Sequence, residues 1–386
     1  MDSSKHQEIK DLKDPSLLLS PPSLFKCSES TKTSYYCEDD NNDDYDEDDD
    51  EMLGRIEFTC TIPLVIDDPN NDCRASNIHN ITTLKFRCRD QSVGFLHQEE
   101  ISTKQSHHNV DDHNDDDGND DDEEGIVDPN FFDTGYTLAG RTGFQIWAGS
   151  RVMMEILLQW PSSSLSSTSS CQLVPCQQTN DIIKQYQNEI INGANIIELG
   201  SGVGIVGTSL ASVGGYVIMT DLETLVNHSL WPNITLNQTA RDNKNSNTIS
   251  NQSSIQIHNG WAEATVLDWT KPVQDQLSIE QISNTQLIVS CDCVWLVSML
   301  DGLLDSVASI FTMASSNNDI AFLLSFQRRD AQDGNESSTF TTVDKVLRSV
   351  EERGWRLKCL AWRPVVVKGE GDYNEVKEVY VFEIKP

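Results

Sequence analysis

Two runs near the amino terminus, Arg55-Ile56-Glu57-Phe58-Thr59-Cys60-Thr61-Ile62 and Thr82-Thr83-Leu84-Lys85-Phe86-Arg87-Cys88, alternate apolar with polar residues. A period of two predicts half-buried β-strands, so residues 52–108 read as a small β-rich element with a loop over 67–78. Beyond residue 131 the pattern changes. Apolar positions recur at helical spacing over 145–159, and Trp160-Pro161 ends that helix. A buried-strand run at 195–199 leads through a glycine-rich turn into a helix over 203–213, then a second strand at 216–220. Further strand signals stand at 254–258, 286–291, 320–326, 356–362 and 378–384, with helical stretches at 298–314 and 341–352. Alternating strands and helices predict an α/β domain whose mainly parallel sheet is covered on both faces. No helix separates the last two strands, which therefore form an antiparallel hairpin.

Composition changes this picture at the edges. The 386 residues carry 28 basic and 61 acidic side chains, a formal charge of −33. Glu38 to Glu51 holds eleven of the acids and Asp111 to Glu124 ten, with no Lys or Arg in either tract. Taking those 21 away leaves 40 acids against 28 bases, a moderately acidic remainder. The organisation is thus a disordered acidic region over 1–51, the β-rich element over 52–108, an acidic linker over 109–128 and the α/β domain over 129–386. The Ser-rich stretch 162–180 and the polar stretch 241–254 read as insertions in that domain. Strong acidity argues against nucleic acid or an anionic membrane as the main partner. No apolar run reaches the roughly 18 residues of a membrane span, and the first thirty residues, polar and acidic, are not expected to act as a secretory signal. The ten cysteines are scattered, with no Cys-x-x-Cys pair. They read as reduced thiols of the cytoplasm, with the nucleus a second location; a monomer is expected. The Asn-x-Ser/Thr sites at Asn80, Asn233, Asn237 and Asn251 carry little meaning without secretion.

The stretch Glu198-Leu199-Gly200-Ser201-Gly202-Val203-Gly204-Ile205-Val206-Gly207 is the most informative of the chain. Glycines between a strand and a helix let the backbone approach a ligand, with helix N-terminal amides facing it. Gly202, Gly204 and Gly207 match the dinucleotide fingerprint, and Asp221 stands nineteen residues past Gly202, where an acid takes ribose hydroxyls. A second reading fits better. Glu198 lies two residues before the first of three alternating glycines, a place that suits a positively charged amine and is poor beside a pyrophosphate. An acid, three alternating glycines and an acid at the next strand end form the pattern of S-adenosylmethionine-dependent methyltransferases. The plain alternative is a tight strand–helix turn with no ligand.

Further motifs extend that likeness. Gly143-Phe144-Gln145-Ile146-Trp147 precedes the first strand of the α/β domain, and Leu267-Asp268-Trp269 stands in the place of a third-strand Leu-x-Trp. Ser290-Cys291-Asp292-Cys293-Val294-Trp295 and Ser325-Phe326-Gln327-Arg328-Arg329 close the fourth and fifth. With the glycine loop and Val217-Ile218-Met219-Thr220-Asp221, these six motifs in order resemble the seven-β-strand protein-lysine methyltransferases, also called nicotinamide N-methyltransferase-like. The resemblance runs from about Gly135 to the C-terminus. It implies a class I, Rossmann-like fold with a seven-stranded sheet and an antiparallel C-terminal hairpin. It implies S-adenosyl-L-methionine as cofactor, held by Trp147, Glu198, Gly200, Ser201, Gly202, Gly204, Asp221, Trp269 and the backbone of Cys291. It also implies a protein substrate that presents a lysine. Trp295 stands where the family usually has Tyr, which keeps a large aromatic ring and loses a phenol hydroxyl.

The resemblance makes Asp292 and Trp295 the catalytic pair. A carboxylate at the end of a parallel strand sits where substrates bind in open α/β sheets. Asp292 would aim the lysine ammonium, and Trp295 would hold the cationic head against its ring. The plainer roles are a helix cap for Asp292 and core packing for Trp295. Arg328 and Arg329 either meet the substrate or pair with acids of the sheet. His107, His108 and His113 lie among aspartates, where a solvated spacer is a better reading than a metal site, so no metal is expected. The acidic tracts attract a basic substrate, keep the chain soluble, or are low-complexity insertions; the sequence leaves these open. A small-molecule N-methyltransferase and a non-catalytic binding module remain the rival functions.

Overall fold

The computed structural model describes residues 55–64, 80–89, 142–158, 177–239, 254–314, 319–328, 340–368 and 374–386. Both acidic tracts, the three histidines, Arg329 and most of the two insertions lie outside the described residues.

The first two strands, β1 (Arg55–Leu64) and β2 (Asn80–Arg89), pair antiparallel as a two-stranded sheet. Helices α1 (Ala148–Leu158) and α2 (Gln177–Ile191) precede the main sheet. Residues 177–180, read above as the end of an insertion, are the first turn of α2. The glutamine- and asparagine-rich start hides this helix, whose buried face is Ile183, Tyr186, Gln187 and Ile190.

The main sheet begins with β3 (Asn195–Leu199), α3 (Ile205–Val213) and β4 (Tyr216–Asp221). An α turn at Glu223–Leu225, a π turn at Val226–Leu230 and helix α4 (Trp231–Leu236) follow. Then come β5 (Ser254–Ile257), β6 (Gly260–Val266), α5 (Ile279–Ser283), β7 (Leu287–Cys291) and α6 (Val297–Met313). The domain closes with β8 (Ala321–Gln327), α7 (Val343–Glu352), β9 (Arg356–Lys368) and β10 (Asn374–Lys385).

Strand order is β5-β6-β4-β3-β7-β8-β10-β9. Strands β6, β4, β3, β7 and β8 are mutually parallel, and β10 runs antiparallel to both β8 and β9. This is the expected mainly parallel sheet with its antiparallel hairpin. The sheet has one strand more than the seven expected, because β5 pairs antiparallel with β6 at the edge. The strand signal at 254–258 belongs to that edge strand. The third parallel strand is β6, which the sequence reading passed over. Its inward residues are Gly260, Ala262 and Ala264, while Trp261, Glu263 and Thr265 are half-buried, so small core residues mask the period-two signal.

Alternation then sorts the sheet between two cores. Ile196, Leu287, Val289, Ala321, Leu323, Val379 and Val381 pack on one face with α1, α2 and α3. Ile197, Ile288, Phe322, Leu324, Phe326, Tyr380 and Phe382 pack on the other with α5, α6 and α7. Every residue of β7 and β8 is buried, as expected for central strands covered on both sides. The β1–β2 hairpin adds Cys60, Ile62, Leu84, Phe86 and Cys88 to the first core. It therefore shares a core with the α/β domain. Among the described residues no helix is long and apolar enough to cross a membrane.

Candidate cofactor and substrate site

The carboxyl ends of β3, β4, β6 and β7 carry Glu198, the glycine loop, Asp221, Trp269, Cys291 and Asp292, while Trp147 stands just before α1. Strand order reverses between β3 and β7, the crevice where open α/β sheets bind ligands. The loop out of β3 takes a left-handed backbone at alternate positions, with φ of 69° at Gly200, 54° at Gly202 and 79° at Gly204. Only glycine adopts this region without strain. Space reinforces the requirement: a Cβ on Gly202 would lie 2.7 Å from the Gly143 carbonyl oxygen, and one on Gly200 would lie 2.5 Å from Cys293 Sγ. Thr220 O, at the end of β4, accepts from both Gly200 N (2.9 Å) and Ser201 N (3.0 Å). The loop is thus pinned to the neighbouring strand.

Glu198 is 2% exposed and faces α3. Its Oε2 accepts from Gly207 N at 3.1 Å, so a strand carboxylate caps the first turn of the helix. Burial pushes its pKa up to about 8, although the Ser201 and Gly207 hydrogen bonds pull the other way. Asp221 Oδ2 accepts from Gly202 N and Oδ1 from Leu222 N, both at 2.8 Å. Burial raises its pKa to about 6, against those two amides. Two acids with raised pKa values therefore flank one glycine loop, a combination that marks functional sites.

Trp269 is half-buried, with its ring 3.2 Å from where a Gly200 Cβ would sit. Trp147 is also half-buried and donates its indole N–H to Thr142 O at 2.9 Å. Cys291 is buried at the end of β7, and desolvation raises its thiol pKa well above the usual value. Cys293, which the sequence reading did not single out, turns its Sγ to Gly200 O (3.1 Å) and Leu199 O (3.4 Å). It closes the β3–β7 crevice from the β7 side. Burial pushes its thiol up to about 12, so both thiols stay protonated at neutral pH.

Asp292 is 3% exposed and takes a left-handed φ of 56°. Its Oδ2 accepts from Gly149 N at 2.5 Å, in the first turn of α1, and its Oδ1 from Gln327 N at 2.7 Å, at the end of β8. These are the contacts of a helix cap supplied across the fold. Gly149 suits the approach, since a Cβ there would stand 2.5 Å from Oδ2. Trp295 is half-buried and tilts against Phe340, with ring centroids 6.4 Å apart. A bridge between Leu296 and Phe340 and a bond from Thr341 N to Trp295 O (3.0 Å) fix that pair. Phe340 is 38% exposed, and nothing in the sequence motifs pointed to it. Arg328 pairs with Glu378 at 3.0 Å, so of its two alternatives the structure gives the sheet acid. A separate open hollow of about 560 Å³, lined by Asp181, Lys184 and Gln286 among others, lies at the amino ends of the strands, away from all these groups.

Comparisons with known proteins follow the same direction. A family model described as lysine methyltransferase matches residues 136–345, more than half of the chain. The protein-lysine N-methyltransferase rrg1 of Schizosaccharomyces pombe is 31% identical over 109 residues. That match covers 28% of this chain and spans about a third (31%) of the curated relative's own length. Among solved structures, magnesium protoporphyrin IX methyltransferase of Synechocystis PCC 6803 with bound S-adenosylhomocysteine is 12% identical. The likeness covers 68% of this chain and 99% of that one, with a TM-score of 0.34. A S-adenosylmethionine-dependent methyltransferase of Methanosarcina mazei is 16% identical, covering 53% and 96%, with a TM-score of 0.32. At those scores the solved structures add no argument; the weight rests on the family model, whose span takes in the glycine loop, Asp221 and the end of β7. On that match the chain belongs to the lysine methyltransferase family.

Proposed function

We propose that this protein transfers a methyl group from S-adenosylmethionine to the ε-amine of a lysine in a protein substrate. The observation that carries the reading is the buried Glu198 carboxylate. A glutamine would accept the same Gly207 hydrogen bond without the cost of burying a charge. An acid is useful there when a cationic ligand group comes near, and S-adenosylmethionine carries both a sulfonium and an ammonium. The other residues fit the same ligand. Left-handed glycines leave the loop bare of side chains, Asp221 keeps unused lone pairs for ribose hydroxyls, and Trp269 offers an apolar wall beside Gly200. We assign Trp147, Ser201, Gly204 and Cys291 to the same cofactor set, and Cys293, whose Sγ donates to Gly200 O, to the support of the loop.

S-adenosylmethionine supplies an activated methyl group when bound; the chain's own residues bind, orient and exclude water. The attacking amine must be neutral, although a free lysine has a pKa near 10.4. Asp292 uses one lone pair on each oxygen to hold the amides of Gly149 and Gln327, so we assign it a positioning role. It fixes α1 and β8 around the substrate entrance and adds negative charge that draws the ammonium in. Trp295 and Phe340 present aromatic faces for the same cationic head.

Isothermal titration of the full chain with S-adenosylhomocysteine and with NAD tests the cofactor. Binding of the first and not the second is expected; the reverse overturns the proposal. Radiolabelled methyl transfer into a cell extract then tests the acceptor. Label in a protein band that disappears in Asp221→Ala supports lysine in a protein, whereas label confined to small molecules overturns it.

A further inference from the structure

Helix α4 meets the outer edge of β2 through two asparagine side chains. Asn237 Oδ1 accepts from Lys85 N at 2.8 Å, and its Nδ2 donates to Lys85 O at 2.6 Å. One turn earlier, Asn233 Oδ1 accepts from Arg87 N at 2.7 Å, and its Nδ2 donates to Arg87 O at 3.2 Å. Each side-chain amide thus completes the ring of bonds that a neighbouring strand would make. The register follows from geometry: four residues of helix rise about 6 Å, and two residues of strand about 6.6 Å. Both asparagines are buried, at 1% and 8% exposure, so their amides are fully committed.

Asn233 alone reaches further. Its Nδ2 also donates to Val203 O, in the glycine loop, at 2.9 Å. In a regular helix Val203 O would accept from Gly207 N, four residues on. Here Gly207 N bonds to the Glu198 carboxylate and Val203 O bonds to the Asn233 amide. The helix start is therefore held back by two external side chains, one from the strand and one from α4. Together with the left-handed glycines and the bonds to Thr220 O, they leave residues 200–204 outside the helix.

We infer that Asn233 is a positioning residue that, while clipping the N-terminal β-hairpin, holds the shape of the glycine loop through Val203 O, and so sets cofactor affinity. This rests on the proposed cofactor reading for its affinity arm only. Without the Asn233 amide, Val203 O loses its partner and the loop is free to wind toward helix. Asn237 makes the same kind of bonds to β2 but none to the loop, which makes it the control.

The test compares Asn233→Ala and Asn237→Ala in the full chain. Amide hydrogen exchange in the ligand-free protein reads the loop directly. Faster exchange at residues 200–207 in Asn233→Ala, with those residues unchanged in Asn237→Ala, supports the inference; equal exchange in both overturns it. Titration with S-adenosylhomocysteine reads affinity. A roughly tenfold weaker Kd at full stoichiometry is expected for Asn233→Ala, from the loss of the bond to the loop among the three that its side chain makes. Lost stoichiometry with an unchanged Kd would mean simple unfolding and would overturn it. In turnover, KM for S-adenosylmethionine rises while kcat holds. Should the wild type bind no S-adenosylhomocysteine, the cofactor reading falls, and the exchange experiment still decides whether Asn233 holds the loop.

Discussion

Glu198→Gln isolates the buried carboxyl at the head of the glycine loop. In the folded protein the Glu198 carboxyl has a pKa of about 8, against 4.5 when unperturbed. A raised acid pKa means that the unfolded chain loses its proton first as pH rises. Below about pH 4.5 both states are protonated and burial of Glu198 carries no ionisation cost. Between 4.5 and 8 the folded state loses ground by about 1.4 kcal/mol per pH unit; above 8 the loss is constant. From pH 5 to pH 7 the group should therefore remove about 2.5 kcal/mol of stability. Glutamine has no proton to lose, and its amide oxygen still accepts from Gly207 N. Urea unfolding of wild type and Glu198→Gln at pH 5, 6 and 7 measures the difference between the two, in which the carboxylates remote from Glu198 cancel. The variant should gain about 2.5 kcal/mol on wild type across that range. Its affinity for S-adenosylhomocysteine should fall at the same time, since the ligand's cation has lost its partner. Parallel stability curves for the two proteins would refute the reasoning.

Three further outcomes are expected. Gly202→Ala places a Cβ 2.7 Å from Gly143 O at a left-handed φ; about 1–2 kcal/mol of backbone strain plus that clash should weaken S-adenosylhomocysteine binding tenfold or more, and an unchanged Kd by titration would contradict it. Asp292→Asn keeps the side-chain shape and tolerates the positive φ, but its NH₂ cannot accept, so one of the bonds from Gly149 N and Gln327 N is lost at about 1–3 kcal/mol, measured by urea unfolding. Phe86→Ala removes a fully buried ring of the N-terminal hairpin and should destabilise the α/β domain itself by about 3–5 kcal/mol; a thermal melt in which the domain transition stays put would show that the two do not share a core.

The glycine loop was legible because its requirement is local: alternate left-handed positions need glycine, and they stand at 200, 202 and 204 in the sequence. The mainly parallel sheet was legible because β7 and β8 are continuous apolar runs. Strand β6 was not, since its core residues are Gly260, Ala262 and Ala264, too small to show a hydrophobic period. Helix α2 was hidden behind polar residues at its start, although Ile183, Tyr186 and Ile190 carry a helical spacing. The partners of Asp292 come from 143 residues upstream and 35 downstream, a convergence that only the folded sheet creates. The sequence places Asp292 at a strand end but does not say that both its oxygens are already engaged. Asn233 and Asn237 looked like incidental glycosylation motifs; their role depends on a helix lying alongside a strand that is more than 140 residues away in sequence.

The same asparagine ladder has a consequence for solubility. An unpaired strand edge offers a row of amides and carbonyls to any other chain, and edge-to-edge pairing is a common route to aggregation. On β2 the groups of Lys85 and Arg87 that would recruit such a partner are occupied by side chains of the protein's own helix. The ladder lets the hairpin close the middle of that edge, at Lys85 and Arg87, without a third strand to cover it.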